Sequence, residues 1–257
     1  MKPVSALSAA LIGAWRSNRP LEAEEATDAA PANEAEAYRV QHEVADALGW
    51  FRAGRPRAWK IGAASRDAHP AAAPIADDVL LQSPAHIEAG TMQTLIGVEV
   101  ELAVCLAHPL PDGASAEQVR AAVGEVRAAI EICDVRAKNW PALPALFRLA
   151  DQQMNRWLIL GDGIKGPWRD EVASSEVRLA VDGKETFRRR GGHPLGDPLF
   201  LLPWLACHAA GRFPGGLQPS DIITTGTWTG LYEAKPGDRI RAEFDAIGSV
   251  EVEVGSS

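Results

Sequence analysis

Gly97-Val98-Glu99-Val100-Glu101-Leu102-Ala103-Val104-Cys105-Leu106 is the stretch on which the fold turns. Side chains of a strand alternate between its two faces. Val98, Val100 and Leu102 therefore share one face, and Glu99 and Glu101 the other. The alternation passes into a continuous apolar run, so the segment Leu95 to Leu106 reads as a strand with a wet end and a dry end. Further strands are expected at Trp59–Ile61, Ala129–Val135, Trp157–Leu160, Ile222–Thr225, Arg239–Phe244 and Val250–Val254. Asp182-Gly183 between Val177–Val181 and Thr186–Arg188 reads as a hairpin turn. Helices are expected over residues 5–17, from Asn33 to Gly49, over 115–127, and from Asp197 to Ala210. Asn33 suits an N-cap with Glu36 three residues on, and Gly49 suits the end. Residues 20–32 read as a surface connector, and the Ala-, Pro- and Ser-rich residues 62–76 as a long loop. Helices cluster early and strands later. The fold class is therefore α+β around a mixed or antiparallel sheet, without the regular βαβ alternation of a doubly wound fold. Residues 1–55 form an N-terminal helical portion, and residues 56–257 a β-rich portion continuous with it.

The rest of the chain narrows the classes of function. It has 257 residues, 46% of them apolar, enough for one large domain. Its formal charge is −8, the wrong sign for nucleic acid or an anionic membrane. The longest strongly apolar run, Leu199–Cys207, is broken by Pro203 and is far short of the roughly 20 residues of a bilayer span. Met1-Lys2-Pro3-Val4 and the apolar residues after them mimic a signal peptide, but Arg16 and Arg19 follow with no small-residue cleavage site. Leu7, Leu11 and Trp15 fall on one helical face instead. Cys105, Cys133 and Cys207 are scattered, with no C-x-x-C pair, as in a reducing compartment. A cytoplasmic location is expected. No Walker loop or G-x-G-x-x-G is present, and no strand–helix unit frames Gly191–Gly196.

Glu99 and Glu101, with Cα atoms about 7 Å apart, can converge on one point. Glu131 stands alone among Ile130, Ile132 and Cys133. A buried carboxylate is costly unless a cation meets it. Three in one pocket would drive one another's pKa values up unless a divalent ion joined them, and oxygen donors select Mg²⁺, Mn²⁺ or Ca²⁺ over zinc. Lys60, between Trp59 and Ile61, is the second candidate. Burial and a neighbouring dication would both lower its pKa and make it a proton shuttle.

Trp59-Lys60-Ile61-Gly62, Gly97-x-Glu99-x-Glu101-Leu102-Ala103, Ile130-Glu131-Ile132-Cys133-Asp134-x-Arg136 and Pro194-Leu195…Trp204-Leu205-Ala206 resemble the 2-keto-4-pentenoate hydratases of the fumarylacetoacetate hydrolase superfamily. So do Ala37-Tyr38-x-Val40-Gln41 and Thr225-Gly226-Thr227-Trp228-Thr229. The resemblance runs from Leu11 to Val254. It implies a mixed β-roll with N-terminal helices. It also implies Mg²⁺ or Mn²⁺ held by Glu99, Glu101 and Glu131, catalysis by Lys60, and breakdown of aromatic compounds. The expected reaction adds water to a 2-hydroxy-2,4-dienoate to give a 4-hydroxy-2-oxo acid. An oligomer is implied, of this chain with itself or with a related decarboxylase or hydratase. By the same resemblance Asp78 is a second catalytic residue, and Thr227 and Gln152 contact the substrate.

Departures keep alternatives open. Small residues of the family give way to Gln152-Gln153-Met154-Asn155-Arg156-Trp157, and His193 replaces an Asn. Decarboxylation of a 2-oxo-enedioate of the 4-oxalocrotonate type is one alternative, with Arg57, Arg66 or Arg156 supplying the second cation. Hydrolysis of a diketo acid is another, and His69 would then be a candidate acid–base group on a mobile lid. A non-catalytic scaffold is a third.

Overall fold

Register decides which residues meet. The structure, a computed structural model, describes residues 5–256. The first four residues, the charged start of the segment that mimics a signal peptide, lie outside the described residues. The strands are β1 (Ala58–Gly62), β2 (Ala71–Ile75), β3 (Leu80–Gln82), β4 (Ala85–Ile87), β5 (Gly97–Leu106), β6 (Val123–Cys133) and β7 (Asn155–Lys165). They continue as β8 (Glu176–Val181), β9 (Lys184–Arg190), β10 (Ile222–Thr224), β11 (Leu231–Glu233), β12 (Arg239–Phe244) and β13 (Gly248–Val254). The first sheet runs β2-β1-β10-β5-β6-β7-β3, with β11 also paired to β5. The second runs β4-β13-β12-β8-β9. β1–β10, β3–β7 and β4–β13 are parallel pairs and the others antiparallel, so both sheets are mixed. The α+β class with curled mixed sheets is the one expected from the sequence.

Alternation along β5 and β6 builds the core. Val98, Val100, Leu102 and Val104, with Ile130 and Ile132, pack in one apolar cluster with Leu179, Ile240, Ala242, Val250 and Val252 of the second sheet. The sheets pack closely at Gly161 of β7, where a Cβ would lie 2.2 Å from the Ser249 carbonyl. The opposite face of β5 and β6 carries Ala103 and Ala129 in a smaller cluster with Ala58, Ile75, Leu158 and Leu160. Glu99, Glu101 and Glu131 stand on that face.

The helices are α1 (Ala6–Ser17), α2 (Ala23–Asp28), α3 (Glu34–Leu48), α4 (Ala116–Ala122), α5 (Ala145–Ala150) and α6 (Leu202–Ala210). Leu7 and Leu11 of α1 and Val40 and Val44 of α3 form a separate apolar cluster with Phe147 and Leu149 of α5. The start of α3 is as expected: the Asn33 side chain accepts from the Glu36 N–H, a cap of about 1 kcal/mol. The Glu36 carboxylate accepts from Ala32 N rather than Asn33 N, so the reciprocal half of a capping box is displaced by one residue.

Three expectations are corrected. The connector over residues 20–32 contains α2, whose Ala26 is fully buried. The loop over 62–76 contains β2, an edge strand whose Pro74 needs no donor on its open side. The helix expected through Arg127 stops at Ala122, because β-branched Val123 and Val126 already belong to β6.

Candidate active site

Glu99 of β5 faces Glu131 of β6 directly across the ladder, and Glu101 faces Ala129. Lys60 of β1 is level with Thr224 of β10, which is level with Ala103 of β5. Alternation then puts Lys60 on the same face as the acids. Its ammonium Nζ sits 2.6 Å from Glu131 Oε1 and donates to the Gln153 carbonyl at 2.9 Å. The Asn155 amide donates to the same Glu131 oxygen at 2.9 Å. Glu131 Oε2 is buried with no hydrogen-bond partner. Glu101, also buried, accepts from the Gly226 N–H at 2.8 Å. That N–H can approach because Gly226 adopts a φ of 103°, open to glycine but strained for other residues.

Burial pushes the Glu101 carboxyl well above the ordinary range, and Glu131 and Glu99 push it further. Burial also raises Glu131, opposed chiefly by the Lys60 charge. The expectation of a lowered Lys60 pKa assumed a neighbouring dication; without such an ion's charge the chain's own groups move the pKa the other way. Burial pulls it down, but Glu131, with Cys133, Glu99 and Glu101 behind it, outweighs burial and holds the side chain as an ammonium ion. Three carboxylates share one ammonium, and one buried carboxylate oxygen has no donor. This donor set fits a divalent cation, which would meet the orphaned oxygen and balance the excess charge.

A cavity of about 260 Å³ opens onto this cluster. Lys60, Glu99, Glu101, Gln153, His193 and Thr227 give it polar walls, and Ile61, Ala63, Met154, Pro194 and Leu195 its apolar ones. His193 is neutral, since burial lowers its pKa. Its Nε2 lies 2.7 Å from the Thr225 carbonyl, and its Nδ1 faces the Leu195 N–H at 3.3 Å. With an N–H on Nε2 and a lone pair on Nδ1 both contacts are satisfied, so neither nitrogen is free to act as a base. A larger opening of about 390 Å³, lined by Tyr38, Trp59, His208 and Arg212, lies away from the acidic cluster.

The floor of the site is a strained turn. Gln152, Gln153 and Met154 all have left-handed φ values, 55°, 49° and 67°. For residues other than glycine this costs about 1–2 kcal/mol each. A buried ion pair supports it: Arg136 Nε donates to Asp151 Oδ1 at 2.7 Å, Arg136 N to Asp151 Oδ2 at 2.9 Å, and the guanidinium reaches the Asp151 and Asn155 carbonyls. The turn points the Gln153 carbonyl at Lys60.

The structure thus brings Lys60, Glu99, Glu101, Glu131 and Thr227 together. It does not bring Asp78 to them: Asp78 is exposed and paired with Arg52, away from the cavity. Gln152 is buried beneath the site and donates to the Gln41 carbonyl, while its neighbour Gln153 lines the cavity. Cys133, Gln153, Asn155 and the Gly226 N–H were not singled out from the sequence as site groups. Cys133 had a signal, as a sulfur-bearing residue in an expected buried strand, whereas Asn155 lay outside the strand expected at Trp157–Leu160. The two backbone groups had none.

Residues 58–255 match the sequence profile of the fumarylacetoacetate (FAA) hydrolase C-terminal family. The chain belongs to that family. Among its relatives, a 2-keto-4-pentenoate hydratase of Burkholderia vietnamiensis (strain G4 / LMG 22486) is 27% identical over 60% of this chain and 58% of its own length. The 2-keto-4-pentenoate hydratase 3 of Pseudomonas putida is 26% identical over 62% and 59%. The match therefore spans less than two thirds of these relatives. Among solved structures, a 4-oxalocrotonate decarboxylase from Pseudomonas putida G7, complexed with magnesium and adipate, has the same fold. It superposes with a TM-score of 0.82 at 22% identity, covering 97% of this chain and 96% of that one. The relatives reported are named hydratases, and the structural neighbour is named a decarboxylase. Among the described residues, no helix is long and apolar enough to cross a membrane.

Proposed function

We propose that this chain hydrates a short 2-hydroxy-2,4-dienoate of the 2-keto-4-pentenoate type, giving a 4-hydroxy-2-oxo acid. One observation carries the reading: a buried acidic cluster around Lys60 opens into a small cavity with apolar far walls and no arginine among its lining residues. Glu99, Glu101 and Glu131 would hold Mg²⁺ or Mn²⁺. When bound, such an ion supplies Lewis-acid polarisation at the oxygen-bearing end of an α-keto acid. The chain's own groups do the rest. Lys60, held as ammonium, carries the proton that the terminal carbon, C5, must gain as the dienol becomes a conjugated ketone. The Gln153 carbonyl and Glu131 orient its Nζ. Thr227, in the cavity wall, would hold the substrate carboxylate. Ile61, Leu195 and Met154 line the apolar side of the cavity, where the hydrocarbon end would lie. The enol hydroxyl gives up its proton as C5 gains one, and a water then adds its hydroxyl to C4 and a proton to C3.

Decarboxylation of a 2-oxo-enedioate would need a second cation. Arg57 is exposed. Arg66 is bound to the Leu195 carbonyl and stacked on Phe200. Arg156 stacks on Trp15 and Trp157. This favours the monoacid. The test is product analysis with Mg²⁺ or Mn²⁺ on a panel of dienoates and enedioates. Loss of dienoate ultraviolet absorbance with formation of a 4-hydroxy-2-oxo acid is expected. Carbon dioxide from the enedioate alone would replace this reading with decarboxylation, and turnover of neither would leave the scaffold. Lys60→Met is expected to slow the hydration about 10²–10⁴-fold while metal affinity, measured by calorimetry, is kept.

A further inference from the structure

The acidic face ends on sulfur. Cys133 lies two residues beyond Glu131 on β6, so the two share a face. It is fully buried, and the residue facing it across the ladder, Gly97, has no side chain to stand between the sulfur and Glu99. Its Sγ lies 3.5 Å from Glu99 Oε2. One ligand atom from each of Glu99, Glu131 and Cys133 falls within 4.8 Å of the other two. A second observation points to a ligand here: Glu131, wholly buried, keeps Oε2 without any partner.

Oxygen donors alone select hard ions, whereas a thiolate donor shifts preference toward softer, borderline ones. We propose that Cys133 is a further protein donor at this site, making it a carboxylate–thiolate centre with a higher affinity for Co²⁺, Zn²⁺ or Cd²⁺ relative to Mg²⁺ than the three carboxylates alone would give. On binding, a metal–sulfur bond forms, the thiol S–H bond breaks and its proton passes to water, with no change in oxidation state. The inference rests on Glu99 and Glu131 being metal ligands, and the test separates the two ideas.

Co²⁺ is titrated into the full-length protein without substrate, and the absorption spectrum is recorded. The expected result is weak visible bands of bound cobalt together with an intense sulfur-to-cobalt band in the near-ultraviolet. In Cys133→Ser and Cys133→Val the near-ultraviolet band disappears while the visible bands stay, although Cys105 and Cys207 remain. The preference for Cd²⁺ over Mg²⁺ in competition falls about tenfold or more. Visible bands without the near-ultraviolet band in the unmodified protein would overturn the role of Cys133 and leave the carboxylate site standing. Absence of any cobalt bands would overturn both. If a Cys133 variant fails to fold, Cys105→Ser/Cys207→Ser, which leaves Cys133 as the sole cysteine, decides the question: the near-ultraviolet band is kept if Cys133 is the donor and is lost if it is not.

Discussion

Two buried ion pairs, whose members Glu131 and Arg136 stand five residues apart in the chain, behave as opposites. Arg136 and Asp151 are both fully buried, and every oxygen of the carboxylate meets a donor from Arg136. Lys60 and Glu131 are also buried and in contact, but Glu131 keeps one oxygen without a donor, and two more carboxylates crowd the same ammonium. The first pair is complete and closes a turn. The second is short of positive charge and opens into a cavity. An under-satisfied buried pair beside a cavity is where binding energy for a cation is stored, whereas a satisfied pair is architecture.

The comparison breaks first at Glu101. Burial and like charges already oppose its ionisation, so Glu101→Gln is expected to keep or raise the unfolding temperature. It should also remove one carboxylate of the proposed metal site and cut Mg²⁺-dependent turnover about 10³-fold. Full turnover would show that the excess charge has no catalytic use. Arg136→Met is the mirror experiment. It strands Asp151, whose pKa burial already lifts to about 6, and is expected to cost about 3–5 kcal/mol in denaturant unfolding. A loss below 1 kcal/mol would mean that the pair is not the support of the turn.

A buried titratable group with no acidic partner extends the comparison. His208 packs against Tyr38 and Trp204. Burial first, then Arg212 and His69, pushes its pKa down to about 3. The folded state therefore holds it neutral while the unfolded chain takes up a proton below about pH 6.5. Its contribution is full above that pH and is lost on acidification toward pH 3, at about 1.4 kcal/mol per pH unit. Denaturant titrations at pH 7.5 and 5 should show a loss of about 2 kcal/mol from this group, since the loss begins only below about pH 6.5, and His208→Phe should remove that much of the difference. The smallest effect belongs to the strained floor. Gln153→Gly frees the left-handed φ at the residue whose carbonyl holds Lys60, and a gain of about 1 kcal/mol is expected in the same assay. A loss would assign the Gln153 side chain a packing role larger than the strain.

Much of the frame was legible because local chemistry and tertiary packing agree. The Asn33 cap, the left-handed Gly49, the Asp182-Gly183 turn and the alternation of β5 each follow from a few adjacent residues. β2 was not legible, because Ala71-Ala72-Ala73-Pro74-Ile75 has weak strand preference and owes its conformation to pairing with β1. The same holds for the end of α4, where the ladder with β5 claims Val123 for a strand.

By itself the sequence determined the two faces of β5, the place of Glu131 in an apolar strand and the ends of α1 and α3, since a period of two residues and the needs of a cap are local properties. Only the tertiary structure decided that Glu99 stands opposite Glu131, that Lys60 remains an ammonium ion despite burial, and that Cys133 and the Gln153 carbonyl join them while Asp78 stays outside. Register between strands and the sum of charges around a buried group depend on segments tens of residues apart, and no local pattern encodes that sum.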